Sequence, residues 1–214
     1  MDGDRSVFNR IYRGFLHFLR PLDGLGPLAL RVFLGPIFVL AGLNKLGHID
    51  DVAAWFGNPE WGLGLPAPVV MAWLAALTEF IGGIALLVGL GVRLVAMPLM
   101  VTMAVAAVTA HWQYGWHALP EQTLTMPWEW RRDLIAEAVV RKDKAVALLK
   151  EYGNYAWLTE AGNFTVLKNG IEFAATYFIM LMALLFSGGG RYVSLDYWIA
   201  RHRGVTIADS GRHT

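Results

Sequence analysis

The chain has 214 residues, of which 56% are hydrophobic and only 16% charged, against about 25% charged in soluble domains; this composition points to a membrane protein rather than an ordinary water-soluble globule. A net charge of +1 with no dominant basic patch argues against nucleic-acid binding. The absence of cysteine removes disulfides, thiolate metal sites, cysteine-ligated iron–sulfur clusters and any thiol nucleophile, so redox chemistry would need a bound cofactor or a partner.

The first 26 residues interleave Arg5, Arg10, Arg13 and Arg20 with Phe8, Tyr12, Phe15 and Phe18 at helix-like intervals, the pattern of an interfacial helix on an acidic membrane face. No small-residue cleavage site follows a short apolar run, so the first long run is expected to be a retained span rather than a signal peptide. That span, 27–46, is apolar apart from Arg31, Asn44 and Lys45, and its internal Pro36 predicts a kink. A loop with Asp50, Asp51, Asn58, Pro59 and Pro66 leads to a second span, 67–88, whose formal charge is Glu79 alone. The turn Gly89-Leu90-Gly91 and Arg93 then open a third span ending near His111, which makes an antiparallel hairpin.

Residues 112–168 break the hydrophobic pattern, and within them 130–152 read as a charged amphipathic helix with Leu134, Ala138, Ala145, Leu148 and Leu149 available for one face. The fourth span, 171–186, ends at three glycines, after which Tyr192, Tyr197 and Trp198 suit an interface. A basic tail carrying Arg191, Arg201, Arg203 and Arg212 follows. Lysine and arginine are concentrated in both terminal segments and absent from 47–66, which predicts cytoplasmic termini and an exported long loop. The fold expected is an all-α membrane protein, an up-down bundle of four transmembrane helices with an extracytoplasmic helical insertion. Its segments are 1–26 (cytoplasmic, amphipathic), 27–111 (helices one to three), 112–168 (insertion), 169–190 (helix four) and 191–214 (cytoplasmic tail).

An ionisable group in the hydrocarbon region costs about 2.5 to 3.5 kcal/mol on insertion scales, so each needs a partner, a wet cavity or a task. Glu79 lies nine residues from the inner end of its helix, about 13 Å deep by helical rise. Arg31 is one turn inside the first helix and within reach of consideration as its partner. The pair reads either as a proton-transfer or quinone-site element or as a structural ion pair, and Arg31 alone also reads as a snorkelling anchor. At the opposite face Asn44 and Lys45, His111, and Asn169 and Glu172 come from three helices at one level. They suit a polar head group, with ordinary interfacial residues as the alternative. No metal site is expected, since His111 and His117 are six apart and lack the i, i+4 spacing of two ligands on one helix face. Gly35 with Gly42, Gly82 with Gly83, and Ala106 with Ala110 are small-residue signals of close helix packing.

The segment RVFLGPIFVLAGLNKL, with Arg31, Gly35, Gly42 and Lys45, the Gly64-Leu65-Pro66 turn, and TEFIGGIALLVGLGVRL, with Glu79, Gly82, Gly83, Gly89 and Arg93, together resemble the DoxX family of small bacterial membrane proteins. The resemblance covers residues 25–112 and the fourth helix; the insertion and the ending GRYVSLDYWI depart from it. It implies an inner-membrane component linked to redox processes, such as a subunit of a quinone-reducing oxidoreductase, with a quinone as the cofactor and none bound covalently. It assigns no catalytic step to this chain. The partners implied are the lipid bilayer, a soluble or membrane redox protein docked on 112–168, and a second copy. The alternatives are a non-catalytic scaffold for an exported partner, by weaker likeness to a component of copper-binding peptide maturation, and a small-solute or metal transporter.

Overall fold

The computed structural model of the chain describes residues 2–119 and 123–203, with side chains from residue 9 onward. The readings placed on the side chains of Arg5 and Phe8 and on Arg212 lie outside the described residues. Among the described residues all regular elements are helical: α1 (Asp2–Leu19), α2 (Leu25–Gly47), α3 (Ile49–Gly57), α4 (Pro68–Val88), α5 (Val92–Val105), α6 (Asp133–Tyr152), α7 (Tyr155–Leu158), α8 (Glu172–Ser187) and α9 (Leu195–His202). Among the described residues three stretches are long and apolar enough to cross a bilayer: Asn9–Gly47, which contains α2, Pro68–Val88, and Val92–Tyr114. The expected fourth, α8, is apolar but has 16 residues, about 24 Å of helix against a hydrocarbon core of ~30 Å.

The chain divides into two compact units, residues 1–99 with 180–214, and residues 100–179. In the first, α2 and α4 run antiparallel and approach closely through small residues. A Cβ on Gly83 would lie 2.6 Å from the Val39 nitrogen and 2.8 Å from the Gly35 carbonyl, and one on Gly42 would collide with the Phe80 backbone. In lipid, where apolar side chains gain little by leaving their surroundings, such backbone proximity supplies the packing contacts that hold helices together. Leu34, Phe38, Ala72, Ala76, Leu86, Ala96 and Leu181 are buried, while Val32, Leu40, Val70, Leu74 and Leu94 remain exposed on the same helices, as lipid-facing positions should.

Local signals set the helix ends. Pro68 occupies the first turn of α4, where its missing N–H is harmless. At the other end Gly89 is left-handed (φ 70°), with Gly89 N donating to the Leu86 carbonyl and Leu90 N to that of Ala85. This pairing is a Schellman stop, which favours glycine because a Cβ is strained there. The loop before α4 is shaped by Asn58, whose side-chain oxygen accepts from Glu60 N and Trp61 N, and Ala53, Phe56 and Ala72 form a small apolar cluster under it.

In the second unit the end of the third span winds into a π-helical turn, Ala106–His111, and a 3-10 turn, Trp112–Tyr114. Residues 115–118 then pair with 168–172 through backbone bonds, among them Gly170 N to His117 O and Glu172 N to Trp116 O. The Trp112 and Trp130 rings stack at 4.6 Å and Trp116 meets Trp128 edge-on at 5.8 Å.

Candidate functional site

Two buried charge arrangements lie in the first unit. Near the end of α2, Lys45 Nζ donates to Glu79 Oε2 at 2.5 Å. Glu79 sits in mid-α4 beside Gly82 and Gly83 and its side chain is 6% exposed, whereas that of Lys45 is 26% exposed. The carboxylate is thus enclosed by the helix contact and its ammonium partner reaches it from a more open position. Glycine at 42, one turn before Lys45, lets the two backbones come close enough for that reach.

Arg31 does not serve as the partner of Glu79, as considered from the sequence. It is fully buried, and its five N–H groups meet five backbone carbonyls. Nε donates to Leu86 O at 2.7 Å, Nη1 to Gly189 O at 2.8 Å and Tyr192 O at 3.3 Å, and Nη2 to Leu87 O at 2.9 Å and Val193 O at 2.7 Å. The last turn of a helix leaves carbonyls without intrahelical donors and carries the negative end of its dipole. Arg31 answers both for α4 while tying the segment after α8 to it. That segment returns the favour at the hairpin: Asp196 accepts from Gly91 N at 2.7 Å and Val92 N at 3.0 Å, capping the start of α5.

The four residues expected to meet a head group stand as follows. Lys45 is committed to Glu79; Asn44 is exposed, and its carbonyl faces His48 Nδ1 at 3.0 Å. In the second unit His111 Nδ1 faces the Asn169 carbonyl at 2.9 Å, and Glu172 accepts from Ala118 N at 3.0 Å. Among the described residues no group of three His, Asp or Glu side chains is arranged to hold a metal ion.

Residues 26–112 match the DoxX family. Over that segment, about two fifths of the chain, the protein is similar to DoxX proteins. The DoxX segment holds Arg31, Lys45 and Glu79, so both buried arrangements have their charged side chains within it. A Bacillus subtilis (strain 168) protein named "Putative oxidoreductase CatD" is 35% identical over 85 residues, 40% of this chain and 59% of that relative. The match therefore spans about three fifths of the relative's length. No solved structure matches the chain.

Beyond the DoxX segment lies a third arrangement that sequence reasoning missed. Glu129 is 2% exposed and accepts from Lys168 Nζ at 2.6 Å, Arg131 N at 2.8 Å, Trp116 N at 3.2 Å and His117 N at 3.3 Å. Burial alone would push this carboxyl up, but the Lys168 ammonium and the three backbone N–H groups outweigh it and hold it at about 2. The signal was one of type only, an acid between two tryptophans in Trp128-Glu129-Trp130, because its partner comes 39 residues later.

Proposed function

We propose that this DoxX protein is a redox-linked subunit of a bacterial inner membrane, and that the Lys45–Glu79 pair is the proton-handling element beside a quinone head group. The observation that carries the reading is a salt bridge between two apolar helices, closed on the carboxylate side and partly open on the ammonium side. An ammonium can donate a hydrogen bond to a carbonyl oxygen, and a carboxylate next to it can take up or release a proton, so the residues present fit a quinone ring oxygen. A quinone, when bound, supplies the acceptor for two electrons and two protons. Lys45 Nζ would orient the ring oxygen, Glu79 Oε2 would hold the proton, and the glycine contacts of α2 and α4 would exclude water from the buried side. The name of the Bacillus subtilis relative supports oxidoreductase association. In this reading α8 is a fourth, shorter span, both termini are cytoplasmic, residues 112–168 face the other side, Asn44 borders the head-group region, and the protein acts as a homodimer.

The test is quinone binding to the purified, detergent-solubilised protein. Saturable binding should weaken at least tenfold in Glu79→Gln and in Lys45→Met, since each removes a charge-assisted bond. Equal binding by wild type and both variants would sink the reading.

One observation favours a second reading, a membrane scaffold. The unit containing the insertion has its own buried ion pair, Glu129 with Lys168, and its own backbone pairing, as a surface that docks an exported partner requires. Deleting 123–163 should then abolish partner capture while the helices still insert.

A further inference from the structure

A cavity of about 730 Å³ opens in the first unit where α2 and α5 begin and α8 ends. Its charged lining is Asp23, Arg93, Arg191 and Asp196. Both acids are already engaged: Asp196 by the N–H groups of Gly91 and Val92, and Asp23 by Arg191 Nη2 at 2.6 Å. Arg93 makes one hydrogen bond, from Nη2 to the Phe186 carbonyl at 3.1 Å. Its other N–H groups and its charge have no acceptor among the described residues. A second donor adds to this: Arg191 Nε is buried without a hydrogen-bond partner. Just after α8, Gly188 (φ 73°) leaves room for the Arg93 side chain, whose Nε lies 3.2 Å from where a Cβ would stand. Beside these donors the wall is apolar and open, with Leu94 69% exposed.

We propose that this cavity binds the phosphate head group of an anionic phospholipid, with Arg93 as its principal contact and Arg191 as a second. An unmatched guanidinium at the end of apolar helices selects an anion. Its fork of donors matches phosphate oxygens, and the adjoining exposed leucine selects a ligand that also carries acyl chains rather than a free ion. Basic pockets at the ends of membrane helices bind lipid head groups by this combination of charge and apolar contact. The site shares no side chain with the Lys45–Glu79 pair and stands or falls apart from it.

The experiment is native mass spectrometry of the detergent-solubilised protein titrated with phosphatidylglycerol, phosphatidylcholine or inorganic phosphate. Phosphatidylglycerol should bind in preference to phosphatidylcholine. Arg93→Gln should weaken it roughly tenfold, as loss of one charge-assisted contact implies. Arg93→Lys, which keeps the charge but loses the fork, should weaken it about threefold and so tests the geometry in a variant that preserves the local charge. Arg141→Gln, in the insertion, should have no effect. Equal binding of the two lipids, unchanged affinity in Arg93→Gln, or displacement of phosphatidylglycerol by an equal concentration of inorganic phosphate would overturn the proposal.

Discussion

Replacing Arg31 by methionine keeps most of the apolar stem and removes all five donors. Of the five carbonyls it serves, that of Leu86 also accepts from Gly89 N at 3.2 Å; those of Leu87, Gly189, Tyr192 and Val193 would be left. An abandoned buried acceptor costs about 1 to 3 kcal/mol, so even at the lower bound the four together give ~4 kcal/mol, in the range reached by few single substitutions. Arg31→Lys has three donors and should recover about half of this. Unfolding of the detergent-solubilised protein by sodium dodecyl sulfate, followed by circular dichroism, would rank wild type above Arg31→Lys and Arg31→Met last. A methionine variant within about 1 kcal/mol of wild type would mean that water or backbone adjustment satisfies these carbonyls, and the clamp argument would fail.

The Lys45–Glu79 pair predicts non-additivity. Lys45→Met strands a buried carboxylate and should destabilise by about 3 kcal/mol, whereas the double variant Lys45→Met/Glu79→Leu should be at least 1 kcal/mol more stable than the sum of the singles; additive effects in the same unfolding assay would show the two groups to be uncoupled. In the insertion, Glu129 sits at about 2 when folded against an ordinary 4.5. Its contribution, ~3 kcal/mol by linkage, is complete above pH 4.5 and is lost as the pH falls toward 2. Protection of the Trp116 and His117 amides, measured against intrinsic exchange rates at each pH, should therefore fall on acidification from pH 6 to 3, and that fall should vanish in Glu129→Gln. Gly83→Ala, which forces a Cβ to 2.6 Å from the Val39 nitrogen, should lower the melting temperature by several degrees. Gly26→Ala, with nothing within 4 Å, should be neutral or slightly stabilising, and equal melting shifts would contradict the close-approach argument.

Hydropathy and turn residues made the helices legible. The spans expected at 27–46 and 67–88 are α2 and α4, Leu25–Gly47 and Pro68–Val88, because a run of apolar residues bounded by proline and glycine admits few other conformations in lipid. The amphipathic helix expected at 130–152 begins at Asp133. Pairing was less legible than position. Helical rise gives the depth of Glu79 but not the direction in which it points, and Arg31 and Lys45 were both on the antiparallel neighbour. The glycines decided between them: Gly42 sets the height at which Lys45 meets α4, and the last-turn carbonyls of α4 take Arg31. Neither Asp196 as a cap nor Glu129 with Lys168 has a periodic signal, since each acts across irregular backbone on residues far along the chain.

The Arg31 clamp also imposes an order on assembly. Its carbonyl partners at Gly189, Tyr192 and Val193 lie 158 to 162 residues downstream, which at 5 to 20 residues per second means roughly 8 to 30 s of synthesis. Until then α4 offers this cation only two of its five acceptors, the Leu86 and Leu87 carbonyls, and the side chain must lean toward the membrane surface. The final segment therefore acts as a latch: a ribosome that stops before Gly189 releases a chain whose first span is still marked by an uncovered charge in the membrane.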